Sequence, residues 1–279
     1  MSSNHNTDNG TQERVKEFAL QHSLETTVQE VLDILEADDG KSFEEKKAAM
    51  VEHLSNSRNT ELSEILVDRA IMEKTGLRIK TEFWRSGIVT CPDPSMILRD
   101  VEDSDRDGFL AIQQEYSLMK SMLSEEVYRD MIWREHCEDR AMNMSIVKEG
   151  VYIGYCGIKN TAQEPWEIAI EIHRDWTKNG VGPVAISAML DAIKARLGIT
   201  EFRVRIDPGN TASQKMFERL GAVPNGISSY LIDDPSIIEQ CEENNLHLID
   251  DAVIALAEKF GVEPRKLLSH ILEYTLSWS

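Results

Sequence analysis

The chain has 279 residues, 41% hydrophobic and 28% charged, which is typical of a folded globular protein and excludes a collagen-like or disordered chain. Its 49 acidic and 30 basic residues give a formal net charge of −19, which opposes broad binding to a nucleic-acid backbone. No run of about 18 apolar residues occurs, and the first ten residues carry no apolar signal stretch, so we expect a soluble, cytoplasmic protein without membrane contact.

The acidic surplus has two explanations that stay open, a preference for cationic ligands such as amines and plain solubility. The four cysteines lie far apart without a CxxC pair, so we expect free thiols in a reducing compartment. The seven histidines are dispersed and form no HxxxH pair, which predicts that no metal is bound.

Residues 1–93 are predicted to form a helical N-terminal region. An apolar stripe at helical spacing runs through residues 24–35, and Ser42 with Glu45 makes a capping-box pattern before a second stripe. A third stripe approaches Gly76, which we expect to end that helix. Short amphipathic helices cannot bury their apolar faces alone, so these must pack on each other, on the next domain or on a partner.

Residues 94–232 are predicted to form an α/β domain with the element order βααβββαβα. The predicted elements are strand 96–101, helices 107–120 and 124–137, strands 142–147, 152–158 and 166–172, helix 183–197, strand 202–206 and helix 211–220. The Glu149-Gly150 dipeptide favours a tight hairpin turn between the second and third strands.

Residues 233–279 are predicted to form a helical C-terminal extension. Apolar stripes return after Pro235, and the last one includes Leu268, Leu272 and Trp278. A strand after the helix at 211–220 is hard to see, with residues 227–232 as the one candidate, and a last strand is either lost or rebuilt around residues 246–249.

The segment Thr177-Lys178-Asn179-Gly180-Val181-Gly182-Pro183 follows a predicted strand and opens a helix. Free amides at a helix start bind anions, and Gly180 and Gly182 would let the backbone approach a diphosphate, with Lys178 as a nearby cation. It is neither a Walker loop nor a dinucleotide fingerprint. Taken alone, this segment is better explained as an ordinary turn, since two glycines before a helix occur often.

A second informative segment follows the strand at 202–206. Asn210 is placed to cap the next helix, Ser213 lies on its first turn, and Gly221 closes it. Together, the two segments resemble the GNAT superfamily of N-acetyltransferases, in particular the branch that includes ribosomal-protein N-terminal acetyltransferases. The family pattern [QR]-x-x-G-x-[GA] corresponds to residues 177–182, and N-x-x-[SA]-x-x-x-[YF]-x-x-x-G-[FA] is matched by Asn210, Ser213, Phe217, Gly221 and Ala222. The family's E-I-G-x-x-[IL] strand corresponds to residues 167–172.

This resemblance implies a mixed, mostly antiparallel sheet flanked by helices, with acetyl-CoA as cosubstrate. The cofactor-binding residues it implies are Ile170, Ile172, Thr177, Lys178, Asn179, Gly180, Val181, Gly182, Asn210, Ser213 and Phe217. Two positions depart from the family pattern. Thr177 replaces a Gln or Arg, and Phe217 replaces the tyrosine that many members use as a general acid towards the CoA thiolate.

The resemblance also implies that an amine attacks the thioester directly, which requires a base to remove the amine's proton. Glu167 is the first candidate, followed by Glu171 and His173. The two carboxylates lie about 13 Å apart along one strand, so they cannot act on the same atom. Ser213 could donate a hydrogen bond to the CoA sulfur, and the leaving thiolate needs little acid help.

Two functions are therefore compared. The first is an acetyl-CoA-dependent N-acetyltransferase whose acceptor is a protein N-terminus or lysine, a polyamine or an aminoglycoside-like molecule. The second is a catalytically weak or inactive acyl-CoA-binding module that acts through protein interaction by its helical flanks. Those flanks could also form a lid or a homodimer interface.

Overall fold

The computed structural model describes residues 34, 37, 39–55, 60–229 and 234–279. The chain divides into two compact units, Met1–Thr75 and Gly76–Ser279. The predicted stripe at residues 24–35 lies outside the described residues, except for position 34. None of the helices in the described residues is long and apolar enough to cross a bilayer.

The first unit contains helix α1 (Phe43–Ser55) and the beginning of helix α2 (Thr60–Trp84). The predicted capping box is confirmed, because the Ser42 amide donates to Glu45 Oε2 at 2.7 Å and the Glu45 amide donates to Ser42 Oγ at 3.3 Å. A small apolar core is buried in this unit, and its members are Met50, Leu54, Leu66, Val67 and Ala70.

Helix α2 does not end at Gly76, so the expected cap there is wrong. The helix continues to Trp84. A Cβ on Gly76 would lie 2.1 Å from the carbonyl oxygen of Asp139, a distance that no side chain tolerates. The glycine therefore permits the close approach of two backbones. This role requires glycine, just as a helix C-cap does, so the sequence does not distinguish the two.

The second unit holds all eight strands and the other helices of the described residues. The strands are β1 (Val89–Thr90), β2 (Met96–Asp100), β3 (Met142–Lys148), β4 (Val151–Ile158), β5 (Trp166–Ile172), β6 (Glu201–Ile206), β7 (Val223–Ser229) and β8 (His270–Ser277). The helices are α3 (Arg106–Tyr116), α4 (Glu126–Cys137), α5 (Val181–Leu197), α6 (Thr211–Arg219), α7 (Pro235–Asn245) and α8 (Asp251–Phe260). The elements predicted between residues 96 and 220 are thus confirmed, with ends shifted by a few residues.

The strands form one mixed sheet in the order β1-β2-β3-β4-β5-β6-β8-β7. Neighbouring strands are antiparallel except β5 and β6, which are parallel. The hairpin between β3 and β4 turns at Glu149 and Gly150, whose φ angles of 53° and 78° suit the turn that matches strand twist. The predicted fold class, a mostly antiparallel sheet flanked by helices, is confirmed.

Strands β5 and β6 separate soon after they begin. They pair only at Trp166–Phe202 and Glu167–Arg203. Beyond that point β5 stays paired with β4 on one side, and β6 stays paired with β8 on the other. The two facing edges therefore diverge into a cleft, and their backbone polar groups are open to a ligand or to water.

The C-terminal residues correct two expectations. Residues 270–277 are a strand rather than the predicted helix, and β8 lies inside the sheet between β6 and β7. Leu272, Tyr274 and Leu276 are each fully buried at a spacing of two, which is a strand period. Residues 246–248 form a short 3-10 turn and not a strand. The division of the chain at residues 93 and 232 stays a prediction.

The core of the second unit lies between the sheet and helix α5. This helix is apolar on nearly every side, and its most buried residues are Ala185, Ile186, Met189, Leu190 and Ile193. Burying aliphatic side chains stabilises the fold by about 1.5–3 kcal/mol each relative to leaving them exposed. The start of α5 is thereby held against the cleft edge of the sheet.

Candidate functional site

The turn between β5 and α5 has the backbone geometry of an anion-binding helix start. Lys178 and Gly180 have φ angles of 64° and 75°, in the left-handed region. Gly180 is the N-cap of α5 and no side chain caps the helix. The Val184 amide donates back to the Gly180 carbonyl at 3.4 Å. The amides of Val181 and Gly182 precede that bond, so they have no acceptor within the helix.

Gly182 lies where three elements meet. A Cβ at this position would be 2.9 Å from Met216 Sδ on α6, and 3.6 and 3.8 Å from the Cδ1 atoms of Ile172 and Ile170 on β5. A larger side chain would fill the space at the mouth of the cleft. Because glycine has no side chain, the start of α5 can pack closely against α6 and β5, and the free amides of the turn lie at the mouth of the cleft.

Two polar side chains of the turn hold its own backbone. The Thr177 hydroxyl donates to the Arg174 carbonyl at 2.7 Å, and the Asn179 amide group donates to the Asp175 carbonyl at 3.4 Å. Thr177 therefore shapes the turn at the position where the family has a longer Gln or Arg. Lys178 is exposed and is placed on the same turn as a cation for a phosphate.

The start of α6 follows the predicted capping arrangement. The Ser213 amide donates to Asn210 Oδ1 at 3.1 Å. Asn210 is exposed and Ser213 half-buried, so both can contact a ligand at the cleft. Phe217 is only 2% exposed and packs in the core, which leaves it little surface for a cosubstrate.

Glu167 is a buried carboxylate surrounded by three partly exposed cations. Its carboxylate lies 2.6 Å from Lys159 Nζ, 3.2 Å from Arg203 Nη2 and 2.9 Å from Arg205 Nε. Burial raises its pKa, but these cations outweigh burial and hold the pKa below the usual range. The residue also lies where β5 and β6 are still paired, before the cleft opens.

Glu171 has the opposite electrostatic surroundings. Its Oε2 accepts a hydrogen bond from Gln113 Nε2 at 2.8 Å, and Tyr155, its partner across the β4–β5 ladder, also hydrogen-bonds to it. Burial is the largest influence and raises the pKa of the carboxyl above its usual value, against the effect of both hydrogen bonds. A carboxylate of raised pKa beside an open cleft is suited to accept a proton.

The Glu171 carboxylate is backed by an aromatic layer. The His136 ring stacks on Phe109 at 4.3 Å and meets the edge of Tyr155 at 4.5 Å, measured between ring centroids. Burial lowers the pKa of His136 to about 4, so its imidazole is neutral at pH 7. Tyr155 connects this uncharged layer to Glu171, whose burial disfavours the ionised carboxylate.

His173, the third base candidate, is held at the end of β5. Its Nδ1 lies 3.1 Å from Glu115 Oε1, and the other oxygen of Glu115 accepts the Arg174 amide at 2.9 Å. The Tyr116 hydroxyl donates to the Ile172 carbonyl at 3.0 Å. These bonds fasten the end of α3 to the end of β5, so that the mouth of the cleft is rigidly framed on this side.

Comparison with sequence families matches residues 95–223 to the Acetyltransferase (GNAT) domain. This range contains the diverging strands, the glycine turn and the start of α6. Residues 95–223 belong to the GNAT family. The predicted relationship is therefore confirmed, and the chain carries the domain of acyl-CoA-dependent acetyltransferases. The comparison with curated proteins finds no match.

Several solved structures are similar to this chain at low sequence identity. RimL, named as a ribosomal L7/L12 alpha-N-protein acetyltransferase and solved with coenzyme A, is 12% identical over 68% of this chain and 98% of its own, with a TM-score of 0.48. RimJ of Mycobacterium smegmatis, also with a form of CoA, is 15% identical over 68% of this chain and 86% of its own, with a TM-score of 0.46. A spermidine N-acetyltransferase chimera of Vibrio cholerae SpeG and hSSAT is 13% identical over 66% of this chain and 95% of its own, with a TM-score of 0.46.

The structure adds site residues that the sequence did not single out. Gln113, Tyr116 and Tyr155 contact β5 of the GNAT domain from a helix and a neighbouring strand. The sequence pattern predicts that these residues belong to a helix or a strand, but it does not predict that they contact β5. The tight hairpin joins β3 to β4 and leaves the pairing of β4 with β5 open, so no local sequence signal selects Tyr155.

Proposed function

We propose that the chain is an N-acetyltransferase in which an amine attacks acetyl-CoA directly while both are bound. The observation that carries this proposal is the position of Glu171. A carboxylate of raised pKa lies on the strand whose end contacts the glycine turn, so a proton acceptor and a diphosphate-binding site are joined by one short element. An acyl-CoA-binding module has no need of such a base.

The residues for holding acetyl-CoA are the turn 177–182 and the first turn of α6. The amides of Val181 and Gly182 would bind the diphosphate, with Lys178 as the accompanying cation. Asn210 and Ser213 would hydrogen-bond the pantetheine arm, and the open edge of β5 near Ile170 and Ile172 would supply backbone donors for it. Phe217 would contribute packing beneath the arm.

Glu171 would serve as the general base in place of Glu167. An amine is mostly protonated at neutral pH, so the base must first take one proton from the ammonium group. The amine nitrogen then bonds to the thioester carbonyl carbon, the carbon–sulfur bond breaks, and the electron pair leaves on the thiolate. The second amine proton goes to that thiolate or to solvent, which balances the reaction as N-acetylamine, CoA thiol and one released proton.

Glu167 is better suited to holding β5 and β6 together. Three cations within 3.2 Å stabilise its ionised form, and a carboxylate of lowered pKa is a weak proton acceptor. The negative charge developing on the thioester oxygen would be met by a backbone amide of β5 near Ile170 to Ile172. Because a thiolate leaves readily, the replacement of tyrosine by Phe217 does not prevent the reaction.

The test is a turnover assay with a panel of primary amines. Acetyl-CoA at saturating concentration is mixed with the protein and each amine, and CoA thiol release and the mass of the product are followed. We expect at least one amine to gain an acetyl group at a rate that scales with protein concentration. Binding of acetyl-CoA without acetylation of any amine would support the second function, the binding module, and would overturn this proposal.

A further inference from the structure

A large cavity lies beside the proposed CoA site, and its walls include the connection between β7 and β8. The cavity has a volume of about 1130 Å³. Helices α7 and α8 form one wall, and the turn at Asp207–Gly209 after β6 forms another. The residues of α7, α8 and β8 follow residue 223, so this wall is an addition outside the range matched to the GNAT domain.

The cavity adjoins the reacting centre through the first turn of α6. Thr211 and Gln214 line the cavity, while their neighbours Asn210 and Ser213 are the candidate contacts of the pantetheine arm. Neighbouring positions of one helical turn point in directions about 100° apart. The first turn of α6 can therefore border both the cavity and the proposed site of the pantetheine arm. Leu118 also lines the cavity, only two residues after the tyrosine that bonds to the end of β5.

Most of the side chains in the cavity wall are apolar. They include Leu118, Ile237, Ile238, Val253, Leu256 and Leu267. Leu118 is 87% exposed and Ile237 47% exposed, so apolar surface remains in contact with water on both sides of the opening. Ligand pockets have volumes of roughly 300–1,000 Å³, so this cavity, slightly larger than that range, has room for a small molecule with an apolar body.

The charged groups of the wall favour a cation. Asp207 accepts the Gly209 amide at 2.7 Å and Asp250 accepts the Val253 amide at 2.9 Å, and neither carboxylate has a cationic partner within the described part of the chain. The one lysine of the wall, Lys259, is paired with Glu218 on α6. The carboxylates of Asp207 and Asp250 would therefore attract an ammonium group, while the charge of Lys259 is balanced by its ion pair with Glu218.

We propose that this cavity is the acceptor pocket and that the acceptor is a small primary amine carried on an apolar body. The proposal rests on the proposed acetyl transfer and deepens it by naming the substrate class. The apolar body would pack between α7, α8 and Leu118, and the amine would lie towards the turn after β6, where the cleft opens.

The experiment compares acceptors and two matched variants. Tryptamine and 2-phenylethylamine represent amines with an apolar body, and spermidine and a heptapeptide with a polar N-terminus represent the alternatives. Ala255→Lys places a cation in the cavity wall at an exposed position, with little risk to folding. Ile254→Lys adds the same charge to the neighbouring exposed position of α8, which does not line the cavity.

We expect kcat/KM for tryptamine and 2-phenylethylamine to exceed that for spermidine and the peptide at least tenfold. Ala255→Lys should raise KM for the apolar amines at least tenfold and leave the Kd of acetyl-CoA unchanged, while Ile254→Lys should match the wild type. Turnover preferring spermidine or the peptide, or equal behaviour of the two variants, would overturn the pocket assignment and leave the acetyltransferase proposal standing. Failure of every amine would overturn both.

Discussion

The side-chain amide of Gln113 lies 2.8 Å from the Glu171 carboxylate and links helix α3 to the end of strand β5. This bond and the one from Tyr155 fix the direction in which Glu171 points, although both oppose the rise in its pKa caused by burial. In the proposed mechanism these two bonds therefore orient the base, while burial raises its basicity.

Replacement of Glu171 by Gln should remove the base and keep the shape of the site. We expect kcat to fall by roughly 10²–10⁴-fold, the usual contribution of general base catalysis, with the Kd of acetyl-CoA unchanged. In the wild type, kcat/KM should decline on the acid side through a pKa above the ordinary glutamate value, because only the ionised carboxylate accepts a proton. Steady-state rates between pH 5 and 9 measure both effects. A variant with wild-type kcat would contradict the role of Glu171 as the general base.

The same Glu171→Gln variant should be more stable than the wild type at neutral pH. Folding raises the pKa of this carboxyl, so the ionised form disfavours the folded state at pH values above that pKa. The gain in the free energy of unfolding should be about 0.5–2 kcal/mol at pH 7.5. It should shrink as the pH falls towards 4.5, because the wild-type group then becomes protonated. Urea unfolding at pH 5, 6 and 7.5 tests this, and a variant less stable at pH 7.5 would refute it.

Glu167→Gln is the matched substitution four residues away and should have the opposite effects. Loss of charge-assisted bonds to Arg203 and Arg205 should lower the free energy of unfolding by about 1.5–3 kcal/mol at pH 7. Folding lowers the pKa of Glu167. The loss of stability in the variant should therefore be complete at pH values above the pKa of the unfolded state, and it should disappear as the pH falls through the pKa of the folded state. The kcat of the folded variant should stay within a few-fold of wild type. A hundredfold loss of kcat with unchanged stability would instead make Glu167 the base.

Strand β8 should be essential to the domain although it lies after residue 260. Tyr274 is fully buried and its hydroxyl donates to Glu218 at 3.0 Å. Tyr274→Ala should lower the free energy of unfolding by about 3–5 kcal/mol, as expected for a buried aromatic side chain. Thr275→Ala, at the adjacent exposed position, should change it by less than about 0.5 kcal/mol. Equal effects in thermal or urea unfolding would show that β8 is not packed in the sheet.

The sequence predicted the elements whose patterns are local. The strands and helices from residue 96 to 220 and the cap at Asn210 follow from periodicity and turn residues that act within a few positions. The place of β8 could not be predicted this way, since Leu268, Ile271 and Leu272 fit a helical spacing and the strand pairs only with β6 and β7, distant in sequence. The role of Gly76 differs from the predicted cap for the same reason, because the backbone of Asp139, distant in sequence, requires a glycine there.

Within the site, the glycine turn and Asn210 could be selected from spacing, whereas the choice between two glutamates could not. Glu167 and Glu171 share one strand face and have equivalent sequence surroundings. Three cations from other strands and loops surround the first, and an aromatic layer and Gln113 surround the second. The difference in their pKa values arises from those distant residues, so it is a property of the fold.

The most direct test of the central claim is a calorimetric titration of acetyl-CoA into the wild type, Gly182→Glu and Ala195→Glu. Glutamate at 182 puts a side chain and a negative charge beside the free amides of the turn, while residue 195 is exposed near the other end of α5 and serves as the charge-matched control. We predict one-to-one binding by the wild type and Ala195→Glu, and at least a tenfold rise in Kd for Gly182→Glu. Equal affinity of Gly182→Glu and wild type would contradict the account, because acetyl-CoA would then bind elsewhere.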